Sequence, residues 1–124
     1  MALMIPLYAG LSVLMIGLSV PLIKGWVKPN AWYGFRIPLT LNDPAIWYPA
    51  NRYAGWLLLA YGLVLLVVAV GLPFLLCLPA TEGATDVYAL CMAGVALVGI
   101  ALVFVFSWRY TRKLAQARAA DDAR

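Results

Sequence analysis

Three long runs without a single charged residue, 3–23, 53–78 and 87–108, constrain this chain more than anything else in it. At about 1.5 Å of rise per residue, each is long enough to cross the ~30 Å hydrocarbon core of a bilayer as a helix. Lipid offers backbone N–H and C=O groups no partner, and a helix satisfies them within one segment. Composition agrees. Of 124 residues, 65% are hydrophobic and 11% charged, whereas soluble domains carry about 25% charged residues. The chain therefore reads as an all-α integral membrane protein, one domain over 1–124 with three transmembrane helices. No Lys or Arg precedes the first run, and it exceeds the ~7–15 apolar residues of a signal peptide, so it is read as a retained span.

Charge orients the spans. Lys24, Lys28, Arg36 and Arg52 follow the first run, and Arg109, Arg112, Lys113, Arg118 and Arg124 follow the third. The connection 79–86 holds Glu82 and Asp86 and no base. All nine basic residues thus fall on one side of a three-span layout, which the positive-inside rule makes cytoplasmic. This predicts a multi-pass protein of the cell's inner (plasma) membrane, with its N-terminus outside and its C-terminus in the cytoplasm. The tryptophans Trp26, Trp32, Trp47, Trp56 and Trp108 are expected at the inner interface, where an apolar ring with a polar N–H is most at ease. The net charge of +4 flanks apolar runs, so membrane lipids are the expected partners and nucleic acid is not. The tail, 109–124, holds good helix formers and should prolong the third helix.

There is no histidine, which removes the commonest general base and transition-metal ligand. The few acids form no pair, so no catalytic residue, metal site or cofactor is expected and an enzyme is disfavoured. Cys77 and Cys91 lie near the ends of adjacent runs; a bridge between them is conceivable, although cysteine in a membrane helix is usually a small apolar residue. Gly55, Gly62, Ala89, Ala93, Gly94 and Gly99 permit close helix approach. Without a clean GxxxG this favours packing inside one bundle, and a homo-oligomer stays open.

The segment 28–55 reads unlike the rest. It packs Trp, Tyr, Pro, Gly, Asn and Arg between two spans, and is expected to be a long cytoplasmic loop at the membrane interface. Gly34 amid aromatics suggests a bend. Asp43 is a good N-cap and Pro44 suits the first helical position, so a short helix carrying Ile46, Trp47 and Tyr48 should follow, interrupted by Pro49 before the second span.

The order Asn30, Trp32-Tyr33-Gly34, Arg36, Pro38, Thr40-Leu41, then Trp47, then Asn51-Arg52 and Gly55, resembles the signature of the SdpI family of small bacterial membrane proteins, named for an immunity protein against a secreted killing peptide. Ile37 stands where that family often has Thr. The resemblance implies the three-span unit and a non-enzymatic role in protecting against, or sensing, a membrane-active peptide. In that role Arg36 and Arg52 supply charge, Asn30 and Asn51 hydrogen bonds, and Trp32, Tyr33 and Trp47 stacking surface, with Gly34 and Thr40 shaping the motif. The partner is then a peptide toxin or a regulatory protein. A plainer alternative is that these residues only build the loop, Arg36 pairing with Asp43. Other readings are an accessory subunit of a membrane complex or a lipid-binding protein.

Overall fold

The computed structural model describes residues 3–76 and 81–124. Every regular element among them is a helix: α1 (Met4–Lys24), α2 (Pro38–Leu41), α3 (Pro44–Leu75) and α4 (Glu82–Asp122). Helices α1, α3 and α4 are each long and apolar enough to cross a membrane. Cys77, and with it the conceivable bridge to Cys91, and the end of the second run lie outside the described residues; Cys91 itself is exposed.

Helix α3 is the centre of the bundle, packed antiparallel to α1 on one side and α4 on the other. Small residues set the spacing. A Cβ on Gly55 would come 2.9 Å from Ile23 Cγ1, and one on Gly62 would come 3.2 Å from the Ser12 carbonyl, so both glycines let α1 approach closely. On the other side the ring of Tyr61 sits against Gly99, and its hydroxyl donates to the Ala96 carbonyl at 3.0 Å. Gly55, Gly62 and Gly99 thus serve contacts within the bundle, whereas Ala93 and Gly94 are exposed. Tyr61, Leu65, Ala69, Tyr88 and Met92 form the buried cluster between α3 and α4. Tyr8 closes it from α1 with an edge-to-face contact on Tyr88, centroids 6.3 Å apart.

Prolines shape the helices without ending them. Pro73 lies inside α3 and has no N–H to give the carbonyl of Ala69, four residues earlier. The Tyr88 hydroxyl of α4 donates to that carbonyl instead, at 2.9 Å. An orphaned carbonyl in an apolar span is costly, so this bond replaces a missing helical one.

Two expected boundaries are corrected. The helix begun at Pro44 is not interrupted at Pro49 but continues to Leu75. Pro49 lies near the start of α3, where its missing N–H leaves only the carbonyl of Ala45 without its usual donor, at an exposed helix end. Helix α4 starts well before 87: Thr81 caps it by accepting from Ala84 N at 3.4 Å, so Glu82 and Asp86 are helical rather than in a connection. Glu82 in the first turn complements the helix dipole there. At the other end α4 runs to Asp122, as the tail's helix formers predict.

Candidate functional site

The connection from α1 to α3 is fastened residue by residue to its own backbone and to the three helices. Helix α1 ends at Gly25, whose φ of 70° is left-handed. Its N–H meets the Leu22 carbonyl at 3.2 Å and that of Trp26 meets the Pro21 carbonyl at 3.0 Å, a Schellman stop. The Arg52 Nε donates to the Ile23 carbonyl at 3.1 Å, placing a cation on the last turn of α1. Trp47, fully buried on α3, donates its indole N–H to the Val27 carbonyl at 2.8 Å.

Asn30 then closes a turn with its whole amide. Its Oδ1 accepts from Trp32 N at 2.8 Å and Tyr33 N at 2.7 Å, and its Nδ2 donates to the carbonyls of Lys28 at 2.8 Å and Tyr33 at 3.2 Å. The Tyr33 hydroxyl reaches back along α1 and donates to the Leu18 carbonyl. Burial raises the Tyr33 phenol above its ordinary pKa.

Gly34 and Asn51 form the hinge of the site. Gly34 has a φ of 110°, and a Cβ there would run into the Asn51 amide. That absence of a side chain lets Asn51 grip the next residue: Phe35 N donates to Asn51 Oδ1 at 2.6 Å, and Asn51 Nδ2 reaches the Trp47 carbonyl at 3.0 Å and the Phe35 carbonyl at 3.4 Å. Asn51 is buried, so these bonds replace water rather than compete with it. The Phe35 ring meets Phe104 of α4 edge-on at 5.8 Å. The loop thereby touches α1, α3 and α4.

Thr40, also fully buried, ties down α2. Its hydroxyl accepts from Ile37 N at 3.0 Å and lies 3.0 Å and 2.9 Å from the carbonyls of Phe35 and Ile37. Asp43 caps α3 through Ala45 N at 2.8 Å. Its other oxygen pairs with Arg118 Nε of α4 at 3.2 Å. Arg36 does not pair with Asp43; it donates to the Ala31 carbonyl. The tail helix therefore braces the loop, through a contact that no local pattern in 28–55 announces.

The structure separates the candidate residues into two groups. Asn30, Tyr33, Gly34, Thr40, Trp47 and Asn51 hold the loop in shape. Trp32, 91% exposed, and Arg36, also exposed, stand on its surface. Arg52 does both: its Nε is engaged at the end of α1, and its exposed side chain lines a cavity that Tyr110 of α4 also lines. Trp47, expected with the other tryptophans at the inner interface, is fully buried and acts as an internal pin. Phe35 and Arg118 take part although the motif alone does not single them out. The stacked pair Tyr53–Tyr110, centroids 4.2 Å apart and 14° from parallel, joins α3 to α4 just beyond the loop.

Three apolar helices with a side-chain-stapled connection at the basic end define a small multi-pass membrane protein. The chain belongs to the SdpI/YfhL protein family, whose family model matches residues 26–108. The match covers the loop, α3 and the apolar part of α4. This is not an enzyme family. Comparison with curated proteins and with solved structures returned no match.

Proposed function

We propose that the protein is a non-enzymatic component of the bacterial inner membrane that protects against, or senses, a membrane-active peptide. The observation that carries this reading is Trp32, a nearly fully exposed indole in a loop otherwise fastened to its own scaffold, with the exposed Arg36 close by in the same loop. An amphipathic peptide offers apolar side chains to the ring, and its carbonyls or terminal carboxylate to the guanidinium. Asn30, Tyr33, Gly34, Thr40, Trp47 and Asn51 act by pre-ordering that surface, so that little loop entropy is lost on binding. Arg52 contributes charge at the same end of the bundle.

The distribution of basic residues supports an orientation with the N-terminus outside and the loop and C-terminus cytoplasmic. A regulatory protein docked on that cytoplasmic surface is a second reading, favoured by this orientation. Deleting the gene and challenging cells with a panel of membrane-active peptides tests the first. Sensitivity to at least one peptide is expected to rise; unchanged survival across the panel contradicts it. Trp32→Ala and Arg36→Ala, expressed in the deletion strain, should reach the membrane at wild-type levels without restoring protection.

A further inference from the structure

The loop surface leaves one side of the bundle unused. Along the α3–α4 seam two cavities follow each other. At the basic end a cavity of about 360 Å³ is lined by Tyr48, Pro49, Arg52, Tyr53, Trp56 and Tyr110. At the next level of the bundle an apolar groove of about 720 Å³ is lined by α3 from Leu57 to Val64 and by α4 from Leu90 to Phe106. The two share no lining residue, but Trp56 precedes Leu57 and Tyr110 lies one turn beyond Phe106, which sets them at successive levels of α3 and α4. At 1.5 Å per residue the α4 wall, Leu90 to Phe106, rises about 24 Å and the α3 wall, Leu57 to Val64, about 10 Å, against the ~15 Å of one leaflet's hydrocarbon. Tyr61, seated on Gly99, forms part of its wall.

We propose that this seam holds one phospholipid, with its phosphodiester at Arg52 and an acyl chain in the groove. Charge and shape change together along it. Arg52 is fixed by its Nε bond to the Ile23 carbonyl, which leaves the two amino groups of the fork to serve an anion. The Tyr53–Tyr110 stack and the half-exposed Trp56 add aromatic faces and O–H and N–H donors around it. No Asp or Glu lines either cavity, so nothing there repels a phosphate. Above Arg52 the lining becomes aliphatic, with Phe106 and the ring of Tyr61, and Gly94 opens it further because a Cβ there would meet nothing within 4 Å. A bare transmembrane helix of a second copy would fill the groove but would leave the cation beneath it without a partner. A phospholipid satisfies both parts, and this site is separate from the Trp32–Arg36 surface.

The test is the amount of phosphatidylglycerol retained per chain, by native mass spectrometry, after purification and washing in lipid-free detergent. The wild-type protein and Lys113→Gln, which removes one charge from the same end outside both cavities, are expected to keep one lipid per chain. Arg52→Gln and Gly94→Leu should each lower retention at least tenfold. Arg52 also supports the end of α1, so Gly94→Leu is the decisive variant: it places a side chain in the groove far from Arg52, at a position where a Cβ has nothing within 4 Å. Unchanged retention in Gly94→Leu overturns the proposal, as does a lipid-free wild-type dimer whose groove is shielded by the second copy.

Discussion

The loop at the basic end and the α1–α3–α4 spans are held together by opposite means. In the loop, side chains do what secondary structure does elsewhere. Asn30, Thr40, Trp47 and Asn51 bond to main-chain groups that have no helix to satisfy them. In the spans the main chain satisfies itself, and cohesion comes from close approach at Gly55 and Gly62 and from Tyr61 packed on Gly99. Loss of a buried side chain of this set, Thr40, Trp47 or Asn51, therefore strands polar groups away from water, at about 1–3 kcal/mol each. One lost from a span removes mainly a contact, and interhelical hydrogen bonds in membranes average only about 0.6 kcal/mol. Where the spans do depend on a single polar side chain, a proline has created the need.

The largest expected effect is at Gly34. Gly34→Val combines a left-handed backbone cost of about 1–2 kcal/mol with displacement of Asn51, which strands Phe35 at about 1–3 kcal/mol more. A loss of about 3 kcal/mol is expected in SDS-titrated unfolding from mixed micelles, together with new protease cleavage in the loop. A loss below 1 kcal/mol, within about the cost of the backbone conformation alone, would show that the Asn51 grip contributes little.

Next comes Tyr88. Tyr88→Phe should cost about 1–2 kcal/mol, more than Tyr61→Phe at about 0.6 kcal/mol. The difference arises because Tyr88 serves a carbonyl that Pro73 leaves open, whereas Tyr61 adds a second bond to one already in a helix. In a Pro73→Ala background the cost of Tyr88→Phe should fall to the Tyr61 level. Equal costs with and without Pro73 would break this half of the comparison.

The smallest effect is at the exposed ion pair. Arg118→Ala should cost well under about 1 kcal/mol, because both partners are partly solvated. The cost should shrink further between low and high salt. A larger, salt-insensitive loss would mean that the tail helix is integral to the loop rather than a brace for it.

How much of this was legible in the sequence varies with the range of the interaction. The spans are visible because membrane insertion depends on local charge-free length. The Asp43–Pro44 cap is visible for the same local reason, and Asp43 does accept from Ala45 N. Pro49 misleads because its effect depends on how near it lies to a helix start. Thr81 carries a readable cap signal, but the acids after it disguise the beginning of α4. The short α2 escapes notice, although Pro38 suits a first helical position and Thr40 can bond back to Ile37. Within the site, the motif marks which residues matter without saying how. That Trp47 bonds to Val27 and Asn51 to Phe35, and that Asp43 takes Arg118 rather than Arg36, follows only once three helices are assembled.

The most direct test of the account compares two variants in a gene-deletion strain challenged with a peptide that the wild-type protein protects against. Trp32→Ala/Arg36→Ala removes the exposed surface together with one bond, from Arg36 to the Ala31 carbonyl, whereas Asn51→Leu removes the buried support. The account predicts that the surface variant accumulates in the membrane at wild-type levels and gives no protection, while Asn51→Leu loses protection together with loop protease resistance. Full protection by the Trp32→Ala/Arg36→Ala protein would contradict it.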